Sequence, residues 1–207
     1  MADNQLGFYI NLSACSGCKA CQVACKDKND TPVGVLWRRV YEISGGNYLE
    51  RGDALIDNTF AYYLSSACSH CDNPICLEVC PSQAIWKRDE DGIVLIDEEQ
   101  CIGCRYCEWA CPYGAPQFDA AKHVMTKCNF CFDYVDAGQK PACVSACQMR
   151  VLEFGPIDDL RAQHGDAGQF FPFPDPSITN PNTTFTPHKD VVRADEGGVS
   201  IANPEEV

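Results

Sequence analysis

The segment Cys101–Cys111, CIGCRYCEWAC, places four cysteines within eleven residues. Disulfide frameworks, zinc sites and iron–sulfur clusters all use cysteine, but at different spacings. Here the order is C-x2-C-x2-C-x3-C. A loop with Cys at every third position curls around one cubane and delivers three thiolates to it. The fourth Cys, on a short helical turn beyond, points away toward a second cluster. Zinc favours two separated Cys pairs that close a tetrahedron.

The chain has 207 residues, of which 16 are Cys, and all of them fall into four groups of four. Group one is Cys15, Cys18, Cys21 and Cys25, with the same spacing as group three, Cys101, Cys104, Cys107 and Cys111. Group two, Cys68, Cys71, Cys76 and Cys80, widens the middle gap. Group four, Cys128, Cys131, Cys143 and Cys147, widens it further. Small residues help such loops turn, and Gly17 and Gly103 stand in the same place. Four sets together point to four [4Fe–4S] clusters with all 16 cysteines as ligands. A disulfide framework suits a secreted chain. The start, MADNQLGFYINLSAC, lacks the basic region and long apolar core of a secretory signal. The pair Arg38-Arg39 lies too far in for a twin-arginine signal, so the chain is expected to carry no export address of its own.

An internal repeat suggests the wiring. YINLSACSGCKACQVAC resembles VLIDEEQCIGCRYCEWAC, and SACSHC with CPSQAIWKR resembles TKCNFC with CQMRVLEFG. The order A, B, A, B implies duplication of a two-cluster unit. Groups two and three are joined by only Pro81–Gln100, and each ends in Cys-Pro, the bacterial ferredoxin signature. They read as one two-cluster module, leaving groups one and four to pair around it. The expected ligand sets are Cys68, Cys71, Cys76 with Cys111; Cys101, Cys104, Cys107 with Cys80; Cys15, Cys18, Cys21 with Cys147; and Cys128, Cys131, Cys143 with Cys25. The alternative pairs group one with two and three with four, and would put Cys25 and Cys80 on neighbouring clusters.

The fold class expected is α+β: duplicated two-cluster ferredoxin-like modules with short strands and helices. Residues 1–67 plus 118–165 form a discontinuous module with a β-rich insertion, and 68–117 form the second module. Residues 166–207 form an extended C-terminal arm. In the insertion, LWRRVYEISGGNYLE reads as a strand, a Gly-Gly turn and a return, and NTFAYYLSSAC as a strand leading into group two. PIDDLRAQHG reads as a short helix opened by Pro156 and ended by Gly165, with Ile157, Leu160 and His164 on one face. In the arm, Phe170, Phe171, Phe173 and Phe185 imply packing on the protein itself or on a partner. His70, between Cys68 and Cys71, reads as a loop side chain beside a cluster, not a ligand. Lys19, Arg105 and Lys127 neighbour cysteines and could raise cluster potentials or simply solvate an anionic region. Tyr106 and Trp109 are expected to cover clusters from water.

The net charge of −13 argues against nucleic-acid binding. No apolar run of about 18 residues exists to span a membrane. There is no G-x-G-x-x-G, P-loop or G-x-S-x-G, and no nucleophile–base pair, so no catalytic site is expected. Several redox centres in one small chain suit relay of single electrons between distant sites.

The four groups, with WRRVYE, the Gly-Gly turn, CIGCRYCEWACPYGAPQF, MTKC, EFGPIDDLRAQHG and ANPEEV, resemble the iron–sulfur subunits of anaerobic dimethyl sulfoxide reductases over nearly the whole chain. The cysteine groups alone resemble the wider four-cluster subunits of molybdopterin oxidoreductases. The resemblance implies a complex with a catalytic subunit holding molybdenum in a bis-pterin guanine dinucleotide cofactor, and an integral membrane anchor that oxidises menaquinol. This chain would carry electrons between them, with groups two and three nearer the quinol side. In some relatives a group-three Cys is replaced and a [3Fe–4S] cluster results; here Cys104 is present. The resemblance also implies export of the folded subunit to the periplasmic face, with a partner bearing a twin-arginine signal. The same role in a polysulfide, thiosulfate or tetrathionate reductase is an alternative. A free-standing polyferredoxin is another, against which the arm and the 26–67 insertion argue. Anaerobically prepared protein should contain about sixteen irons per chain, four per cubane; a value near twelve by elemental analysis would contradict four [4Fe–4S] clusters.

Overall fold

The run LGFYIN is apolar on both faces, which suits a strand with neighbours on each side. It forms β1 (Leu6–Asn11), the centre of a three-stranded sheet, with Leu6 to Ile10 all buried. The computed structural model describes residues 4–192 and 198–207. Residues 1–3 of the N-terminal stretch and 193–197 of the C-terminal arm lie outside the described residues.

The remaining elements follow the cysteine groups. α1 (Ala20–Lys28) carries Cys21 and Cys25. The insertion holds β2 (Arg39–Gly45), β3 (Tyr48–Arg51), β4 (Ala54–Asp57) and β5 (Phe60–Ser66). Group two surrounds α2 (Ile75–Glu78) and leads to β6 (Ile85–Lys87) and β7 (Val94–Ile96). Group three surrounds α3 (Tyr106–Ala110) and leads to β8 (Gln117–Asp119) and β9 (Val124–Thr126). Group four spans α4 (Phe132–Asp136) and α5 (Ala142–Ala146). Then come β10 (Leu152–Pro156), α6 (Ile157–His164), β11 (Thr183–Thr186) and β12 (Val199–Ile201). Short helices and small sheets make this an α+β, ferredoxin-like architecture.

β1 pairs antiparallel with β10, Phe8 opposite Phe154 and Ile10 opposite Leu152. This brings the strand before group one against the strand after group four. On its other edge β1 pairs in parallel with β11, Ile10 opposite Phe185. Helix α6 begins one residue after Pro156, buries Ile157 and Leu160, and stacks His164 on Tyr9 with ring centroids 3.6 Å apart. The three residues expected to share a face therefore do so.

The insertion departs from the expected hairpin. β2 does not return through Gly45-Gly46 onto β3. It pairs with β5, Ile43 opposite Tyr62 and Tyr41 opposite Leu64, and with β12 on its other edge. β3 pairs instead with β4, and both are exposed along their whole length. The reason is burial. Val40 and Ile43 of β2 need an apolar partner; β5 supplies buried Tyr62 and Leu64, whereas the sequence YLER of β3 cannot. Gly46 has φ +83°, and a Cβ there would overlap the Asn58 backbone, so the chain crosses at this point without a tight turn.

The C-terminal arm packs on its own chain. The Phe170 and Phe185 rings meet edge to face with centroids 5.1 Å apart, and Phe173 closes the group. Phe171 lies partly buried against the same core. Phe185→Ala should remove this anchor at a cost of about 3–5 kcal/mol. A lower thermal transition of the anaerobically prepared protein, with β11 losing amide-exchange protection, is the expected result.

Candidate iron–sulfur centres

All four cysteine loops share one backbone feature. The residue just before the second Cys has a left-handed conformation: Gly17 (φ +68°), His70 (+43°), Gly103 (+67°) and Phe130 (+62°). This turns the chain so that successive thiols face the same interior. Glycine adopts it freely; His70 and Phe130 do so under strain. The two rings meet edge to face, with centroids 5.2 Å apart. Lys19 and Arg105, at φ +59° and +66°, make a second left-handed turn that starts α1 and α3.

The structure brings thiols of separate groups together. Cys15, Cys18, Cys21 and Cys147 line one cavity, and Cys68, Cys71, Cys76 and Cys111 another. The Cys107 thiol is pushed up to about 12, first by burial and then by the charges of Cys101, Cys104 and Cys80. The Cys25 thiol is also pushed up to about 12, by burial first, with Cys143 and Cys131 adding to it. Burial likewise dominates at Cys71 and Cys76, both raised to about 12. Among the described residues no three His, Cys, Asp or Glu side chains converge as a single metal ion would require. Thiols spaced around a shared cavity could hold a polynuclear cluster.

Hydrogen-bond donors also face the sulfurs. The backbone N–H of Met125 donates to Cys101 Sγ at 3.3 Å, that of Phe130 to Cys128 Sγ at 3.4 Å, and that of Val151 to Cys147 Sγ at 3.4 Å. Such bonds stabilise thiolate charge and help set cluster potentials.

The expected quartets adjoin one another in turn. Cys21, Cys143 and Cys147 share one apolar cluster, which joins the Cys15 quartet to the Cys25 quartet. Cys128, Cys68 and Cys111 share a second, joining the Cys25 quartet to the Cys68 quartet. Cys76, Cys107, Cys80 and Cys101 share a third, joining the Cys68 quartet to the Cys101 quartet. In the Cys25 quartet every thiol is buried. At one end of the row Cys18 is exposed, and at the other Cys80, Cys101 and Cys104 are partly so. The Cys25 quartet is thus sealed, Cys71 and Cys111 of the Cys68 quartet are partly exposed, and thiols at both outer quartets reach the surface.

The other residues singled out from the sequence separate clearly. His70 is buried, and its Nδ1 accepts from the Val94 backbone N–H at 3.0 Å. Burial first, and then the Lys127 and Lys87 charges, hold its imidazole well below the usual histidine range. Lys19 pairs with Glu206 and Arg105 with Glu108, so both cations are neutralised near the surface. Lys127 is different. Its buried ammonium donates to the Val94 and Cys128 carbonyls, and its charge opposes the upward pressure of burial on Cys76. Tyr106 and Trp109 do not cover the cysteines: they are 52% and 73% exposed. Both project from the short α3, whose inward face is taken by Cys107. The sequence reading missed Arg38, buried among the cysteines of groups one and four.

Residues 59–157 match the model of the 4Fe-4S dicluster domain. Over 203 residues the chain is 49% identical to the B subunit of the anaerobic dimethyl sulfoxide reductase of Escherichia coli (strain K12), covering 98% of each. The chain belongs to this family of iron–sulfur subunits. The corresponding B subunit of Haemophilus influenzae is 47% identical over 204 residues, covering 98% of this chain and 99% of the relative. The thiosulfate reductase electron transfer subunit of Salmonella typhi is 43% identical over 161 residues, 77% of this chain and 80% of the relative. The family places the chain among non-catalytic, electron-transferring iron–sulfur subunits of oxidoreductases.

Gly103→Ala tests the loop. The left-handed backbone alone should cost about 1–2 kcal/mol, and the added Cβ would overlap the His123 carbonyl. Loss of iron without loss of secondary structure, followed by iron analysis and circular dichroism, is expected.

Proposed function

We propose that the chain relays electrons through four [4Fe–4S] clusters from a quinol-oxidising membrane anchor to a molybdopterin catalytic subunit that reduces dimethyl sulfoxide. The observation that carries this reading is the succession of adjoining cysteine quartets, with one inner quartet wholly buried and thiols reaching the surface at both outer ones. A storage protein or a single-site catalyst has no use for two exposed ends.

The ligand sets proposed are Cys15, Cys18, Cys21 with Cys147; Cys128, Cys131, Cys143 with Cys25; Cys68, Cys71, Cys76 with Cys111; and Cys101, Cys104, Cys107 with Cys80. When bound, the clusters supply one-electron carriers. The protein's part is to hold them, aim N–H donors at their sulfurs and exclude water. In domain terms, residues 68–117 form one two-cluster module, residues 1–67 plus 118–165 the second, and 166–207 the arm. The Cys101 quartet faces the quinol side, where exposed Ile102, Tyr106 and Trp109 offer apolar surface to a partner. The Cys15 quartet, flanked by exposed Val23 and Met149, faces the catalytic subunit.

Among the described residues no helix is long and apolar enough to cross a membrane, so attachment would come through the anchor. The periplasmic face is proposed, by co-export with a twin-arginine-bearing partner. Dimethyl sulfoxide is preferred over thiosulfate as acceptor because the matching dimethyl sulfoxide reductase subunits cover 98% of this chain, against 77% for the thiosulfate reductase subunit.

Cys104→Ser tests the direction. It should weaken or convert the cluster at the quinol end and cut quinol-dependent turnover of the assembled complex by at least about tenfold. Dye-driven turnover at the molybdenum subunit should fall much less. Equal loss in both assays would count against a quinol-side position.

A further inference from the structure

Arg38 is 1% exposed. It enters the core just before β2, beside the polypeptide that carries groups one and four. Its Nη1 donates to Ser65 Oγ at 3.0 Å, and its guanidinium carbon lies 4.8 Å from the centroid of the Phe8 ring. Its Nε and Nη2 have no hydrogen-bond partner of ordinary geometry. No carboxylate pairs with it among the described residues. An interior cation needs a compensating anion. The charged groups acting on it are cysteines: Cys143 and Cys21, then Cys128 and Cys25. Cys143 also lies within side-chain hydrogen-bonding reach of the guanidinium.

We propose that Arg38 is the shared counter-cation of two clusters, those held by the Cys15 and Cys25 quartets, and that it raises the reduction potentials of both. The inference rests on the ligand sets proposed above. A cubane with four thiolates is a net anion and gains a further negative charge on reduction. A fixed cation beside it therefore stabilises the reduced form more than the oxidised form. A guanidinium keeps its charge at every working pH. In a water-excluded site it is weakly screened, so its effect exceeds that of Lys19 or Arg105, which pair with glutamates near the surface. Ser65 extends the contact. Its Oγ accepts from Arg38 and lies 3.4 Å from Cys21 Sγ, so its own proton is free to point at that sulfur. Arg38 is thus an electrostatic tuning residue acting on two adjacent carriers, and it leaves the Cys68 and Cys101 quartets alone.

The test is an anaerobic redox titration of the purified complex, followed by electron paramagnetic resonance, with iron and sulfide analysis of each sample. Arg38→Gln is expected to weaken the reduction equilibrium of two clusters at least tenfold, about 59 mV downward for a one-electron couple. The other two should keep their potentials. Arg38→Lys, which keeps the charge, should restore most of the shift. Ser65→Ala should lower one cluster only, by less. Should Arg38→Gln shed the iron of two clusters while Arg38→Lys keeps it near wild-type potentials, the need for a cation is likewise supported. Four unchanged potentials in a fully loaded Arg38→Gln sample overturn the proposal. So does equal iron loss in both variants, which marks a packing role. A wild-type sample with fewer than four clusters instead overturns the ligand sets on which the proposal stands.

Discussion

Antiparallel pairing of β1 with β10 is the contact on which the other cysteine geometry depends. It joins residues 6–10 to residues 152–156, so a strand near the N-terminus lies against one that follows the last cysteine. Group one begins a few residues after β1, and group four ends a few residues before β10. Once the strands are in register, Cys147 sits beside Cys15, and α1 packs against α5 to bring Cys25 near Cys143. Residues 68–111, which carry groups two and three, lie in the chain between the two strands so paired. Slipping the register by one residue would turn Phe8 and Ile10 away from the core, and the thiols would separate with them.

The interior of this protein is unusual because so much of it is sulfur. Nine cysteines count among its buried apolar residues. They occupy positions that Leu or Ile would fill elsewhere, and the largest hydrocarbon cluster is built mainly on the β1 sheet, the β2–β5 pair and the phenylalanines of the arm. Buried neutral thiols behave as small hydrophobes. Buried thiolates need cations or hydrogen-bond donors, and here the chain supplies backbone N–H groups, Lys127 and Arg38. Packing and electrostatics are therefore set by the same residues.

Legibility in the sequence followed the range of the interaction. Cysteine spacing, the Gly17 and Gly103 turns and α6 are local, and each could be read from a few neighbouring residues. The Gly45-Gly46 hairpin could not. Its plausibility was local, but strand pairing was decided by burial of Val40 and Ile43 against β5, a partner some twenty residues away. Strands β11 and β12 lie in a Pro- and Asn-rich arm that carries little β signal of its own, and they exist because β1 and β2 offer open edges. Arg38 was overlooked because Arg38-Arg39 reads as a basic surface pair. Arg38, one residue before β2, turns inward to the cysteines, and Arg39, the first residue of the strand, donates to the Tyr113 and Gly114 carbonyls. Tyr106 and Trp109 failed in the opposite sense: aromatic character suggested burial, and helix α3 is too short to bury more than one side.

The central position of β1 also has a consequence for biosynthesis. Strand β1 leaves the ribosome before the segments it pairs with, which emerge only from residue 152 and from residue 183 onward. Until then its apolar residues have no sheet to join, and the nascent chain presents group one without Cys147. On the proposed ligand sets, the two quartets that join groups one and four can close only after Cys147 has emerged, whereas Cys68–Cys111 is a continuous stretch that can organise earlier. Loading should therefore begin in the middle of the chain and finish at its ends. Such long-range closure is slow and leaves apolar strand and bare thiols exposed meanwhile.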